Sequence, residues 1–360
     1  MNFHHLILLF LLLIPTLPMS HEKQTKISWT KLSPIPDKMG FAGAYVATLR
    51  DALVMMGGAN FPNGKAPWDG GKKVWTDKIF MLEEKDSQWV MAGTLPEPMG
   101  YGAVASYRDA IYIAGGSNEQ GHLSKTYRMT MDNGHFITER LPDLPYTIAN
   151  CASILIDNYW YILGGIEFAD SKSALNSCWR IDLDNIPQGW ESCPDIPGEG
   201  RMLSVAGDLA GKLLLVSGVS LQDGNRKYLR DAYVLNMETG WQEIAALPES
   251  VAAAPNPAWY DSQTGSLLIF GGDNGDLASQ DLRENHPGFS NRILCYQPIS
   301  STWKYTEDPI AVYSLYGDPK TWTPVTTGTI YWQGGIVLVS GEIRPGTRTP
   351  EVLFGVINQK

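Results

Sequence analysis

Ile111-Tyr112-Ile113-Ala114-Gly115-Gly116 is a short β-branched and aromatic run that stops on two glycines. Such a run bounded by glycine reads as a buried strand that ends in a turn. The pattern recurs along the chain. It returns as Leu53-Val54-Met55-Met56-Gly57-Gly58, Tyr161-Ile162-Leu163-Gly164-Gly165, Leu214-Leu215-Val216-Ser217-Gly218, Leu268-Ile269-Phe270-Gly271-Gly272 and Val337-Leu338-Val339-Ser340-Gly341. The second small residue falls at 58, 116, 165, 218, 272 and 341, which gives intervals of 58, 49, 53, 54 and 69. Any one diglycine is weak evidence, but six in register mark a repeated structural unit.

Each unit carries more than the central run. Upstream lies a strand rich in small residues, such as Gly40-Phe41-Ala42-Gly43-Ala44-Tyr45 or Tyr101-Gly102-Ala103-Val104-Ala105. Downstream come another strand and then a tryptophan before a proline: Trp89 with Leu95-Pro96, Trp241 with Leu247-Pro248, Trp303 with Asp308-Pro309. Phe136 takes the tryptophan's place before Leu141-Pro142. Four short strands per unit make a sheet that cannot bury both faces alone, so the units pack radially as blades. The spacing matches the ~50-residue period of kelch repeats. The expected fold is therefore all-β, a six-bladed kelch-type β-propeller. After the sixth repeat only Glu351-Val352-Leu353-Phe354-Gly355-Val356-Ile357 remains, one strand short of a full blade. Ile27-Ser28-Trp29-Thr30-Lys31-Leu32-Ser33-Pro34 has the signature of an outermost strand with no blade ahead of it. The last blade should be closed by this N-terminal strand, leaving no open edge.

Composition narrows the function. Charged residues make up 18% of the 360, against a usual share of roughly 25%, and aromatics reach 11%, which excludes a disordered polymer or a coiled coil. The net charge of −10 leaves no basic face for nucleic acid. Leu6 to Ile14 are nine consecutive apolar residues, too few to cross a bilayer, and a proline-punctuated polar stretch follows. Residues 1–20 therefore read as a signal peptide and 21–360 as a single propeller domain, periplasmic or secreted, with no membrane insertion once the signal is removed. Four cysteines are too sparse for a disulfide scaffold; Cys178 and Cys193 either bridge or stay as thiols, like Cys151 and Cys295.

Turns after each small pair, and turns leading into each innermost strand, open on one face around the central channel, where ligand sites should gather. Only His21, His122, His135 and His286 lie beyond the signal, and their spacing suggests no metal site. No nucleophile elbow, phosphate loop or dinucleotide fingerprint occurs. The most unusual loop is Gly341-Glu342-Ile343-Arg344-Pro345-Gly346-Thr347-Arg348-Thr349. Glu342 follows the sixth small pair near the axis, where a half-desolvated carboxylate suits a general base. Arg348, returned by the Pro-Gly turn, can face the same mouth and bind a carboxylate with its planar fork. The same two residues would equally make an ion pair that merely stiffens the loop.

Glu-x-x-Pro-Gly-x-Arg-Thr after a kelch Ser-Gly resembles the active-site segment of the N-acetylneuraminate epimerase family of sialic acid mutarotases. Gly57-Gly58-Ala59-Asn60-Phe61, Gly71-Lys72-Lys73 and Tyr101-Gly102 agree with it. The loop is nearly C-terminal here rather than mid-chain, so the sequence looks like a cyclically permuted branch. The resemblance implies interconversion of the α and β anomers of N-acetylneuraminic acid, with Glu342 transferring the proton, Arg348 as its catalytic or carboxylate-binding partner, and no metal or cofactor. Asn60 and Tyr101 are candidates to bind sugar hydroxyls or the N-acetyl group, Lys73 and Arg201 to contact the carboxylate, and Asn256 to line the mouth. The competing reading is a non-catalytic propeller that binds a glycan or protein through the same mouth; a mutarotase for another acidic sugar is a third. Oligomeric state is open.

Overall fold

The structure, a computed structural model, describes residues 25–312 and 322–358. The expected signal segment, 1–20, lies outside the described residues. Six four-stranded antiparallel sheets follow one another along the chain as the blades of a β-propeller. Blade I consists of Tyr45–Leu49, Ala52–Met56, Lys78–Leu82 and Val90–Thr94, from the axis outward. Blades II to V occupy 103–141, 152–192, 205–244 and 259–305 in the same order. Blade VI takes Thr329–Trp332, Gly335–Val339 and Val352–Asn358, and its outer strand is Lys26–Leu32. That pairing runs from Lys26 opposite Asn358 to Leu32 opposite Val352, so the first described strand closes the last blade as the sequence indicates.

The second strand of each blade is the core of the design. Ala52–Met56 sends Leu53 and Met55 into the cluster shared with blade VI, and Val54 and Met56 into the cluster shared with blade II. Gly335–Val339 and Ser266–Phe270 are buried at every position for the same reason. Side chains alternate across a strand, and here both faces meet a neighbouring blade, so the apolar runs are continuous rather than alternating. Six such inter-blade clusters hold the ring, and each buried Leu, Ile, Val or Met contributes about 1.5–3 kcal/mol.

Outer-strand tryptophans are inter-blade staples. Indole N–H groups of Trp89, Trp190, Trp241 and Trp303 donate to the carbonyls of Ser33, Pro142, Pro194 and Ala245, each on the preceding blade. Trp29 meets Phe270 of blade V edge-on at 5.8 Å. The repeated glycines have a matching role. Gly57 sits at φ +61°, and a Cβ there would lie 2.2 Å from the Met99 carbonyl oxygen of blade II. At Gly57 the missing side chain permits this approach without strain, whereas Ser217 and Ser340 hold the same left-handed conformation, φ 58°, in blades IV and VI.

One device at the axis is absent from any sequence motif. Gly43, Tyr101, Asn150, Leu203, Ala253 and Thr326, one per blade, form a closed ring of backbone hydrogen bonds. Gly43 N donates to Thr326, Thr326 to Ala253, Ala253 to Leu203, Leu203 to Asn150, Asn150 to Tyr101 and Tyr101 to Gly43, all at 2.7–2.8 Å. Every member has a left-handed φ between 52° and 67°. The inner strands enclose a cavity of about 550 Å³ along the axis, lined in part by Tyr101, Asn150 and Asn256.

Candidate functional site

The residue after each small pair turns back to bridge the start of its own blade. These residues are Ala59, Ser117, Ile166, Val219, Asp273 and Glu342, bridged to Ala42, Gly100, Ala149, Met202, Ala252 and Val325. Six-fold repetition therefore places these side chains in equivalent positions around one face. Four are small or aliphatic; the two carboxylates fall in neighbouring blades V and VI.

Glu342 begins the short hairpin of Glu342–Arg344 with Thr347–Arg348, in which Glu342 and Arg348 are direct cross-strand partners. Pro345-Gly346 makes the turn, with Gly346 at φ +74°. Its α-carbon packs so closely under Pro67 and Trp68 that an added Cβ would come within 2.9 Å of the proline ring. Glu342 Oε1 accepts from Gly346 N at 2.8 Å and from Arg348 Nη1 at 3.3 Å. Among the described residues nothing donates to Oε2. The Arg348 side chain is 4% exposed and that of Glu342 19%, so the acid rather than the guanidinium meets the solvent in the mouth. Arg348 lies 4.5 Å from the centre of the Phe61 ring, and its buried Nε has no partner among the described residues. A buried donor left open in this way is costly unless a water or ligand completes it.

Tyr101 and Lys73 complete the cluster. Tyr101 is a ring member held at φ +64°, a strained conformation for an aromatic residue and one that functional sites often retain. Its ring lies over Gly43, where any Cβ would come within 2.5 Å of it. Burial pushes the Tyr101 hydroxyl up, an effect that the adjacent Arg348 opposes and the Glu342 charge adds to. The Lys73 ammonium lies 4.9 Å from the Tyr101 ring centre and 5.5 Å from that of Trp75. Desolvation, then the Arg348 charge, lower its pKa, with Glu342 opposing.

Two histidines flank this group. His122 Nδ1 is 3.2 Å from the Ile166 carbonyl oxygen, and burial, with the Lys73 charge adding to it, lowers its pKa. His286 Nδ1 accepts from Gly288 N at 3.1 Å; burial lowers its pKa, Asp273 and Glu342 oppose, and Arg344 reinforces. Asp273 accepts from the Tyr228 hydroxyl at 2.9 Å. Asp273 was legible as an acid directly after Gly271-Gly272, the position Glu342 holds. Phe61 lies in the Gly57–Phe61 stretch that carries the resemblance but was given no role of its own, and Trp75, two residues after Lys73, carried no signal.

Three expected site residues have their side chains tied to protein partners. Arg201 is fully buried between blades, not open to the mouth. Both its terminal nitrogens bind Asp231, at 2.7 and 2.8 Å, and the carbonyls of Ser217, Pro197 and Glu199 take further donors. It stands at the position that Phe41, Met99 and Ile148 fill in other blades, where a carbonyl receives the N–H of the neighbouring blade's second small residue. No donor is left for an anion. Asn256 lies inside the channel wall, where its side chain accepts from Ala206 N and donates to the Ser153 carbonyl, stapling the inner strands of blades III and IV. Asn60 is buried and donates to Asp37, whose carboxylate caps the 37–40 turn. The structure thus brings together Glu342, Arg348, Tyr101 and Lys73, and leaves Asn60, Arg201 and Asn256 as parts of the framework.

Known proteins resemble this chain in two ways. Residues 16–137 match the N-acetylneuraminate epimerase family. That span holds Phe61, Lys73, Tyr101 and His122, but not Glu342 or Arg348. The N-acetylneuraminate epimerase of Yersinia enterocolitica serotype O:8 is 28% identical over 242 residues, 60% of this chain and 57% of the relative. That of Salmonella enteritidis PT4 is 32% identical over 127 residues, 31% of this chain and 33% of the relative. The chain thus spans between about a third and somewhat over half the length of these curated relatives. The solved structure of YjhT superposes with a TM-score of 0.64 at 15% identity, over 91% of this chain and 99% of that one, a likeness of fold.

Proposed function

We propose that this chain, a relative of the N-acetylneuraminate epimerases, is an isomerase that interconverts the α and β anomers of N-acetylneuraminic acid. The observation that carries the reading is the Glu342–Arg348 pair. One carboxylate oxygen is held by Gly346 and Arg348, and the other has no described partner. Anomerisation removes a proton from the anomeric hydroxyl and delivers one to the ring oxygen; the open ketone rotates and the ring closes on its other face. A fixed carboxylate with one free oxygen is suited to the first transfer, and one positioned group of this kind supplies about 10²–10⁴-fold. Arg348 orients Glu342, and its charge, with that of Lys73, favours a substrate bearing a carboxylate. No step requires a redox centre, because no electrons leave the substrate.

No described helix is long and apolar enough to cross a membrane. The apolar run Leu6 to Ile14 supports export, so the substrate would be met in the periplasm or outside the cell. Proton NMR of freshly released α-N-acetylneuraminic acid tests the reading. The protein should speed the approach to the anomeric equilibrium, and Glu342→Gln should not. Saturable binding without anomer exchange would replace the enzyme with a binding propeller.

A further inference from the structure

Ring opening needs two proton movements, and the Glu342–Arg348 pair provides for one. Glu342 can receive the hydroxyl proton, but Arg348 is no donor, because a guanidinium does not release its proton near neutral pH. Tyr101 and Lys73 stand against the pair. Burial makes the Tyr101 hydroxyl hold its proton more tightly than usual. Lys73 is the lysine whose ammonium faces both Arg348 and Glu342. Lys31, Lys125 and Lys227 each close on a carboxylate, whereas Lys73 makes no salt bridge among the described residues. Its ammonium is folded back onto the Trp75 and Tyr101 rings at 5.5 and 4.9 Å instead. Tyr101 in turn abuts Arg348, which holds Glu342 at 3.3 Å. The charged and titratable groups facing Lys73 are thus Arg348 and Glu342 on blade VI and Tyr101 and His122 on blade II.

Resting on the reading above, we propose that Lys73 is the general acid of the mutarotation: it protonates the ring oxygen as Glu342 takes the proton of the anomeric hydroxyl. The bond from the anomeric carbon to the ring oxygen breaks, its electron pair accepts the Lys73 proton, and the anomeric C–O becomes a carbonyl. Glu342 is then protonated and Lys73 neutral. On reclosure the chain hydroxyl adds to the other face of the ketone, its proton returns to the Lys73 amine, and Glu342 gives its proton to the carbonyl oxygen. Both groups end as they began and nothing is oxidised. Desolvation, then the Arg348 charge, pull Lys73 below the ordinary lysine value, which brings a weak acid closer to its working pH.

The acid form disappears as pH rises through that lowered value. Wild-type kcat/KM should therefore fall on an alkaline limb that begins below the range of an ordinary lysine. Anomer exchange is to be measured across pH for wild type, Lys73→Arg, Lys73→Met and Glu342→Gln, with folding checked by thermal melting; Lys73 lies on a loop outside the blade sheets, its ammonium turned onto the Trp75 and Tyr101 rings, so its variants should fold. Lys73→Arg keeps the charge but cannot release a proton, so kcat should drop about 10²-fold or more with KM little changed and the alkaline limb gone. Full kcat in Lys73→Arg, or a raised KM alone in Lys73→Met, would make Lys73 an anion anchor and overturn the proposal. If wild type itself fails to exchange anomers, the mutarotase reading and this one fall together. If wild type exchanges and only the Lys73 variants are unaffected, this one falls alone.

Discussion

Arg348 and Arg201 are both buried arginines paired with a carboxylate, and they do opposite work. Arg201 binds Asp231 through both terminal nitrogens and meets three carbonyls, so its donors face protein. Arg348 touches its acid through one nitrogen and leaves Nε buried and open. Arg201 fills a slot between blades that is apolar elsewhere; Arg348 rises from a hairpin in the mouth. A charge whose donors are all satisfied belongs to the framework, and one held only partly has capacity left for a ligand.

Removing function should separate the two most sharply. Glu342→Gln should lower anomer exchange by about 10²–10⁴-fold, because the amide takes no proton, while leaving the melting temperature near that of wild type. Arg348→Ala should approach that loss, since it leaves only Gly346 holding the acid. An Arg348→Ala protein that stays fully active would mean that the pair only stiffens the loop. Arg201→Met should do the reverse. It strips Asp231 of its cation, with the Tyr233 hydroxyl at 3.0 Å as remaining support, and should cost about 3–5 kcal/mol in urea unfolding. Exchange per folded molecule should be unchanged; a selective fall in kcat would return Arg201 to the site.

The same contrast explains what could be read in advance. The propeller was legible because its signal is repeated six times, and because each second strand needs apolar side chains on both faces. Closure by residues 26–32 followed from counting strands. The Glu342 hairpin was legible as an acid placed directly after a small pair and returned by Pro-Gly. The role of Arg201 was not, because a position near the start of an inner strand does not say which way a long side chain turns. Its partner Asp231 is thirty residues away, and nothing local announces it. Asn256 was legible only in part: two flanking prolines mark a turn at the axis, and it does line the axial cavity, but nothing local announces that its amide bridges strands from two blades. The closed backbone ring at Gly43, Tyr101 and their equivalents has no side-chain signature, since glycine, tyrosine, asparagine, leucine, alanine and threonine all serve there.

Asn256→Ala is a smaller test of that division. It removes the acceptor of Ala206 N and the donor to Ser153 O, and should cost about 1–3 kcal/mol without changing kcat. A large kcat effect with unchanged stability would put Asn256 back among the substrate contacts.

The smallest effect compares the mouth hairpins of blades IV and VI. In Val219–Gln222 with Asn225–Tyr228, the acid is Glu199, and protein donors surround it: Lys227, Ser220 at 2.6 Å and Gln222 at 3.1 Å. The Lys227 hydrogen bond, then that of Ser220, hold its pKa down at about 2. A lowered carboxyl pKa stabilises the folded state above the unfolded value of about 4.3, and that contribution fades as pH falls through the folded value. The Glu199 side chain is 35% exposed and solvent screens the pair, so the contribution should be under about 1 kcal/mol. Glu199→Gln should therefore be slightly less stable than wild type at pH 7, and the gap should close as pH falls from about 4.3 through about 2. Anomer exchange should not respond, because this acid has its partners within the protein. A pH-independent gap would mean that the hairpin is held by the neutral donors, and a loss of exchange would extend the working site from blade VI into blade IV.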